Sequence, residues 1–131
     1  MNLTLARSTY IQDHKLQVRD IADPHTTILL VMQELNKNLR KIADYSIRHA
    51  ALRKQFTNAF TAIYILQTSL DFTHGGEVAE NLFRLYEYVR QELLKAFTRN
   101  PDHNLAHCIV LLDEIVEVWE AIGPMVGGQP S

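Results

Sequence analysis

The sequence predicts an all-α protein, an antiparallel up-down-up-down four-helix bundle preceded by an N-terminal arm. Four stretches of about twenty residues carry apolar side chains at intervals of three and four, the period of a helix that packs on one side. The connections between these stretches are short enough for neighbouring helices to run antiparallel. No stretch shows the strict apolar–polar alternation of a half-buried strand, so strands are not expected.

The first helix is predicted to begin at Asp23-Pro24 and to end near Asp44. Aspartate accepts a hydrogen bond from a free N–H at a helix start, and proline fits the first helical position because no donor is needed there. The apolar stripe of this helix is Ile28, Val31, Met32, Leu35, Leu39 and Ile42. That of the second helix is Leu52, Phe56, Ala59, Ile63, Leu66 and Leu70.

Glycine and proline mark the remaining boundaries. Gly75-Gly76 is predicted to be the turn between the second and third helices, Asn100-Pro101-Asp102 to end the third and cap the fourth, and Gly123-Pro124 to stop the fourth. The predicted core stripes are Val78, Leu82, Leu85, Val89 and Leu93 on the third helix and Leu105, Ile109, Leu112, Val116 and Trp119 on the fourth. The domain prediction is an arm over residues 1–21, a bundle over 22–122 and a flexible tail over 123–131.

The predicted helices carry more apolar surface than one core requires. Wide buried arcs in a tight bundle, or cover by the arm, would account for part of it, but the size and spacing of the extra side chains favour a groove for an amphipathic partner helix. Two residues of the arm, Tyr10 and Ile11, are expected to occupy part of this groove and to yield when a partner binds. The predicted groove residues are Tyr64, Ile65, Phe83, Tyr86, Leu94, Phe97, Leu111, Ile115, Val118 and Ile122.

The composition argues against nucleic acids and membranes as partners. The formal net charge is -2 and no run of like charges occurs, so neither a nucleic acid nor an acidic membrane surface is expected to bind. The longest apolar run, Ile28 to Met32, is far too short to insert across a bilayer, and the N-terminus does not read as a signal peptide. A single cysteine, Cys108, suits a reducing compartment. The expected location is cytoplasmic.

No catalytic or metal-binding pattern stands out. Di-iron bundles use Glu-x-x-His, and no glutamate here has a histidine three residues later. His103 and His107 share a helix face, but no further ligands have a suitable spacing. Gly75-Gly76 lacks the Gly-Lys-Ser/Thr ending of a phosphate loop. We therefore expect no metal, no cofactor and no enzymatic activity.

The stretch SLDFTHGGEVAENLFRLYEYV resembles the signature of the flagellar secretion chaperones of the FliS family, which has Leu-Asp, Gly-Gly-Glu-Ile-Ala-x-Asn-Leu and Leu-Tyr-x-Tyr in that order. The matching residues are Leu70, Asp71, Gly75, Gly76, Glu77, Ala79, Asn81, Leu82, Leu85, Tyr86 and Tyr88. Ala22-Asp23-Pro24-His25 resembles the Ala-Ser-Pro-His that opens the family's first long helix, and the segment with Leu111, Leu112 and Trp119 resembles its ending. The chain departs from the family at Val31-Met32-Gln33-Glu34, where Leu-Tyr-Asp/Glu-Gly is usual.

The resemblance implies a function for the predicted groove. Members of the family are four-helix chaperones that bind the C-terminal segment of flagellin, prevent its premature polymerisation and help to deliver it to the type III export gate protein FlhA. An alternative is a helical adaptor or regulator that binds another amphipathic helix through the same groove, or a homodimer that covers it. The departures suggest a divergent member, and neither its particular flagellin nor its oligomeric state follows from the sequence.

Overall fold

The computed structural model describes residues 24–123, and the regular structure in this range is helical, without a strand. Four helices follow in chain order: α1 (Pro24–Ile42), α2 (Arg53–Thr68), α3 (Phe72–Phe97) and α4 (Leu105–Ile122). A short 3-10 helix, His49–Leu52, precedes α2. The prediction of an all-α protein is confirmed for the described residues. The predicted arm, with Tyr10 and Ile11, and all of the predicted tail except Gly123 lie outside them.

Apolar side chains from all four helices form one core. The stripes predicted for α1, α2 and α4 supply most of it, and their fully buried members are Val31, Met32, Leu35, Leu39, Ala59, Ile63, Leu66, Leu105 and Leu112. α1 packs against α2 and α4, α2 packs against α3, and α3 packs against α4. The helices therefore contact one another in chain order around a closed ring. The contact between α3 and α4 is the smallest of the four.

The glycine pair lies inside α3 rather than between α2 and α3. The helix begins at Phe72 because the carboxylate of Asp71 caps it, accepting a hydrogen bond from the backbone N–H of His74 at 3.1 Å. The predicted break is present as a kink at Gly76, whose φ of 51° and ψ of -126° are open to glycine and strained for other residues. Gly75 is required by packing, since a Cβ there would lie 2.9 Å from that of Ala79.

The start of α4 also differs from its prediction. Its cap is Asn104, whose side-chain oxygen accepts a hydrogen bond from the backbone N–H of His107 at 3.2 Å. The predicted capping segment, Asn100-Pro101-Asp102, instead lies in the connection between α3 and α4. The helix ends at Ile122 and is followed by Gly123, whose φ of 69° favours glycine, as the sequence predicted.

A reciprocal contact joins the start of α1 to the end of α4. The Nε2–H of His25 donates to the carbonyl of Trp119 at 2.7 Å, and the indole N–H of Trp119 donates to the carbonyl of His25 at 3.0 Å. The two rings are stacked, with centroids 4.9 Å apart and planes 5° from parallel. The segments around His25 and Trp119, which resemble the beginning and the end of the FliS pattern, are therefore in contact.

Candidate partner-binding surface

Polar side chains hold α3 against α4 near the turn that connects them. The carboxylate of Glu92 accepts a hydrogen bond from the backbone N–H of Asn104 at 2.8 Å, and it also pairs with Lys95 at 3.0 Å. One turn away, the hydroxyl of Tyr88 shares a hydrogen bond of 2.9 Å with Nδ1 of His107. These contacts identify which side of each helix faces the other.

The same two sides continue along the helices as apolar rows. On α3, Leu85 and Val78 follow Glu92 and Tyr88 at helical spacing, which places them on the side that faces α4. On α4, the row that begins with Asn104 and His107 continues at intervals of four and three. We call the apolar part of both rows the α3–α4 surface, which consists of Val78, Leu85, Leu111, Ile115, Val118 and Ile122.

The α3–α4 surface becomes more exposed with distance from the connecting turn. Leu85, Leu111 and Ile115 are half-buried. Val78, Val118 and Ile122, farther along the rows, are 66%, 60% and 53% exposed. A mainly apolar surface between two helices is therefore open to solvent over part of its length, as a binding site for an amphipathic helix would be.

The predicted groove residues of α2 and α3 do not adjoin this surface. Phe97 packs edge-on against Phe56 and Phe60 of α2, with ring centroids 5.3 and 6.1 Å apart. Phe83 and Leu94 share its side of α3 at helical spacing and are partly exposed. The half-buried Tyr64 lies on α2, one turn from Phe60. The structure therefore divides the predicted groove between two faces, since the extra apolar lines of α3 and α4 are not neighbours.

A polar cluster interrupts the α2–α3 face. The carboxylate of Glu87 accepts hydrogen bonds from Gln67 of α2 at 3.2 Å and from Arg90 at 2.9 and 2.5 Å. The bonds from Arg90 and Gln67 outweigh burial and lower the pKa of Glu87 to about 2. The carboxylate is therefore charged at neutral pH and separates Phe83 from Leu94, so this face is a less continuous apolar surface than that between α3 and α4.

Two predicted groove residues, Ile65 and Tyr86, are core residues, and their placement on an open surface was wrong. Ile65 is fully buried and Tyr86 is 1% exposed. Burial raises the pKa of the Tyr86 phenol above its ordinary value. Tyr86 shares a face with Val89, so the buried side of α3 is turned from its predicted position. The same rotation exposes Val78, which had been predicted as core.

Sequence reasoning therefore missed Val78 and Leu85 as surface residues. The sequence does contain an indication of this, because Val78 and Leu85 lie at helical spacing from Tyr88 and Glu92, two polar residues on the same side of α3. That signal becomes informative only when the contacts of Tyr88 and Glu92 with α4 are known. The two remaining candidates, Tyr10 and Ile11, lie outside the described residues.

Metal sites, membrane-spanning helices and a reactive cysteine are all absent from the described part of the chain. Within residues 24–123 no three His, Cys, Asp or Glu side chains are grouped so as to hold a metal ion, and no helix is long and apolar enough to cross a membrane. Burial, together with the nearby charge of Glu92, raises the pKa of the Cys108 thiol to about 12. The thiol is therefore protonated and unreactive at neutral pH.

Comparison with known proteins places this chain in a family. The chain is 37% identical over 113 residues to the flagellar secretion chaperone FliSB of Pseudomonas aeruginosa, covering 81% of this chain and 85% of that protein. It is 39% identical over 66 residues to the flagellar secretion chaperone FliS of Salmonella typhimurium, about half of either chain (50% and 49%).

The flagellar secretion chaperone FliS of Vibrio cholerae is 26% identical over 105 residues, 79% of this chain and 77% of that protein. No solved structure matches the chain. The family model for the flagellar protein FliS matches residues 6–126, which include all four helices. The chain belongs to the FliS family of flagellar proteins.

Proposed function

We propose that the chain is a cytoplasmic type III export chaperone that binds the C-terminal helical segment of flagellin. In this proposal the four helices form an antiparallel up-down-up-down bundle, the bound segment cannot polymerise prematurely, and the complex is delivered to the export gate protein FlhA. The observation that carries the proposal is the partly open α3–α4 surface. The family, and the word chaperone in the names of the relatives, support it.

The α3–α4 surface offers enough apolar area to contribute to binding. Burying an aliphatic side chain fully stabilises by about 1.5–3 kcal/mol. Val78, Val118 and Ile122 are each more than half exposed, so their burial under a partner would contribute about 3–5 kcal/mol in total. The facing side chains of the partner add a similar amount. Ordering a disordered segment costs about 2–5 kcal/mol, which this burial would offset.

Calorimetric titration with the C-terminal segment of flagellin from the same organism tests the proposal. We expect binding near one to one, together with a gain of helical circular dichroism by the peptide. The control is a peptide of the same composition in which the apolar residues no longer recur at helical spacing. If the native segment gives no heat while the protein is folded and monomeric, the flagellin chaperone proposal fails and an adaptor for another helix replaces it. A dimer would point to self-association instead.

The N-terminal arm is proposed to compete for the same binding groove. Removing residues 1–21 is then expected to raise the affinity for the flagellin segment, because the arm no longer has to be displaced. Thermal unfolding of the truncated and full-length proteins measures the accompanying change in stability. If neither affinity nor stability changes, the arm does not gate the groove.

A further inference from the structure

Charge is distributed unevenly along the chain. Six of the 13 lysines and arginines lie between residues 37 and 54, where Asp44 is the one acidic residue. After Arg99 the sequence contains no lysine or arginine, whereas α4 carries Asp113, Glu114, Glu117 and Glu120. The small net charge of -2 therefore conceals a strong separation of positive and negative charge.

The fold collects the six cations where α1 ends and α2 begins. Lys41, Asp44 and Ile47 are linked by successive backbone hydrogen bonds of 3.2 and 3.1 Å, and the 3-10 helix that follows packs against both α1 and α2. We call this region the basic end and define it by Lys37, Arg40, Lys41, Arg48, Arg53 and Lys54. All six side chains are exposed. Neither the small net charge nor the absence of runs of like charge indicated this basic surface.

Few carboxylates neutralise the basic end from within. Arg40 pairs with Asp113 of α4 at 2.6 Å, but the other five cations form no ion pair with any residue in the range 24–123. The carboxylate of Asp44 is engaged by its own loop, where it accepts hydrogen bonds from the N–H and the hydroxyl of Ser46 at 2.9 and 2.7 Å.

The position of Arg53 and Lys54 is unfavourable for folding. They occupy the first turn of α2, where the helix dipole favours negative charge, and that turn contains no acidic residue. The N-terminus of α2 also has no side-chain cap. Local arrangements that oppose stability in this way are typical of sites kept for function.

The basic end also offers contacts other than charge. Lys37, Arg40 and Lys41 line a shallow groove between α1 and α4, together with Gln33, Asn36, Asp113 and Val116. Tyr45, in the loop beside it, is 93% exposed, more than any other large apolar side chain in the described residues. Tyrosine and arginine are both enriched where protein-binding energy is concentrated, and a tyrosine supplies apolar contact area together with a hydroxyl.

We propose that the basic end binds an acidic segment of a partner protein, one in which several aspartates or glutamates follow closely in sequence. A protein segment fits better than a nucleic acid or a membrane, because a long polyanion would also meet the four carboxylates of α4. The proposal goes beyond flagellin binding and does not depend on it. His25 contacts Trp119, so the opposite end of α1 lies away from Val118 and Ile122.

Fluorescence anisotropy with a labelled poly-glutamate peptide tests this proposal on the full-length protein. We expect saturable binding that weakens as salt is raised, and amide shifts in NMR spectra that concentrate in residues 37–54. The double variant Lys41→Glu/Lys54→Glu is expected to lower the affinity by a factor of about ten or more. Arg84→Glu, an exposed reversal in α3, is the control and should change it by less than a factor of about three.

A loss of affinity in the double variant is not expected to result from unfolding. In the double variant the helix dipole favours the change at Lys54, in the first turn of α2, and opposes the change at Lys41, in the last turn of α1, so the two effects should largely cancel in the thermal midpoint. Peptide-induced shifts spread over the whole surface, or an equal loss of affinity with Arg84→Glu, would overturn the proposal. Tighter binding of single-stranded DNA or of phosphatidylserine vesicles at the same salt would overturn the choice of a protein partner. Concentration-dependent association that the double variant abolishes would replace the partner with a second copy of this chain.

Discussion

Replacing Val118 by glutamine should weaken flagellin binding without disturbing the fold. The side chain is 60% exposed, so the core gains little from it. Full burial of an aliphatic side chain is worth about 1.5–3 kcal/mol, so burial of the exposed part of Val118 under a bound helix contributes about 1–2 kcal/mol. Its loss corresponds to a dissociation constant raised by a factor of about 5 to 30.

Val110→Gln provides a matched control for this prediction. Val110 is the same residue type on the same helix and is 53% exposed, but it lies outside the row formed by Leu111, Ile115, Val118 and Ile122. Both substitutions replace valine by a better helix former, and both are expected to change the free energy of unfolding by less than about 0.5 kcal/mol. Calorimetry with the flagellin segment and urea unfolding measure the two quantities.

The comparison of the two variants decides between explanations. Equal weakening of binding by both substitutions would mean that the partner does not select the α3–α4 surface. Binding that both variants retain in full would move the site to another face, the one between α2 and α3 being the next to test through Phe83→Gln. Extensive unfolding of Val118→Gln alone would show that the side chain belongs to the core.

Other predictions test the contacts and buried groups that hold the four helices together. Trp119→Phe removes the indole bond to His25 and should lower the free energy of unfolding by about 1–2 kcal/mol; an unchanged urea midpoint would contradict this. Gly76→Ala should destabilise by about 1 kcal/mol or more because of its positive φ, whereas an unchanged thermal midpoint would mean that no strain exists. Burial raises the pKa of Glu92, but the hydrogen bonds from Lys95 and from the N–H of Asn104 lower it by more, so the net shift is downward. Its stabilisation is therefore full above the unfolded pKa of about 4.3 and is lost as pH falls through the lower folded value. Glu92→Gln should flatten that acid limb of stability, and an unaltered limb would refute the assignment. Cys108 should react with a thiol reagent only on unfolding, so rapid labelling of the native protein would contradict its burial.

Much of the fold follows from local sequence. Asp23-Pro24 predicts the start of α1, because the cap and the proline act within one turn, and α1 begins at Pro24 as expected. The stripes of α1 and α2 are largely buried as predicted, with Ile28, Ile42 and Leu70 half-buried at their edges, since three- and four-residue spacing places side chains on one face in any helix. The FliS signature around Gly75-Gly76 is likewise a property of residues that are adjacent in the chain.

The tertiary structure alone decided how each helix is turned about its axis and what it faces. Tyr86 and Val78 have equally suitable spacing for a core stripe, yet Tyr86 is buried and Val78 is exposed. Helical periodicity relates side chains within α3 to one another, but only packing against α2 and α4 selects the side that is buried. The basic end has both origins: its six cations lie within residues 37–54 of the sequence, and the 3-10 helix, by packing on both α1 and α2, brings them to one end of the fold.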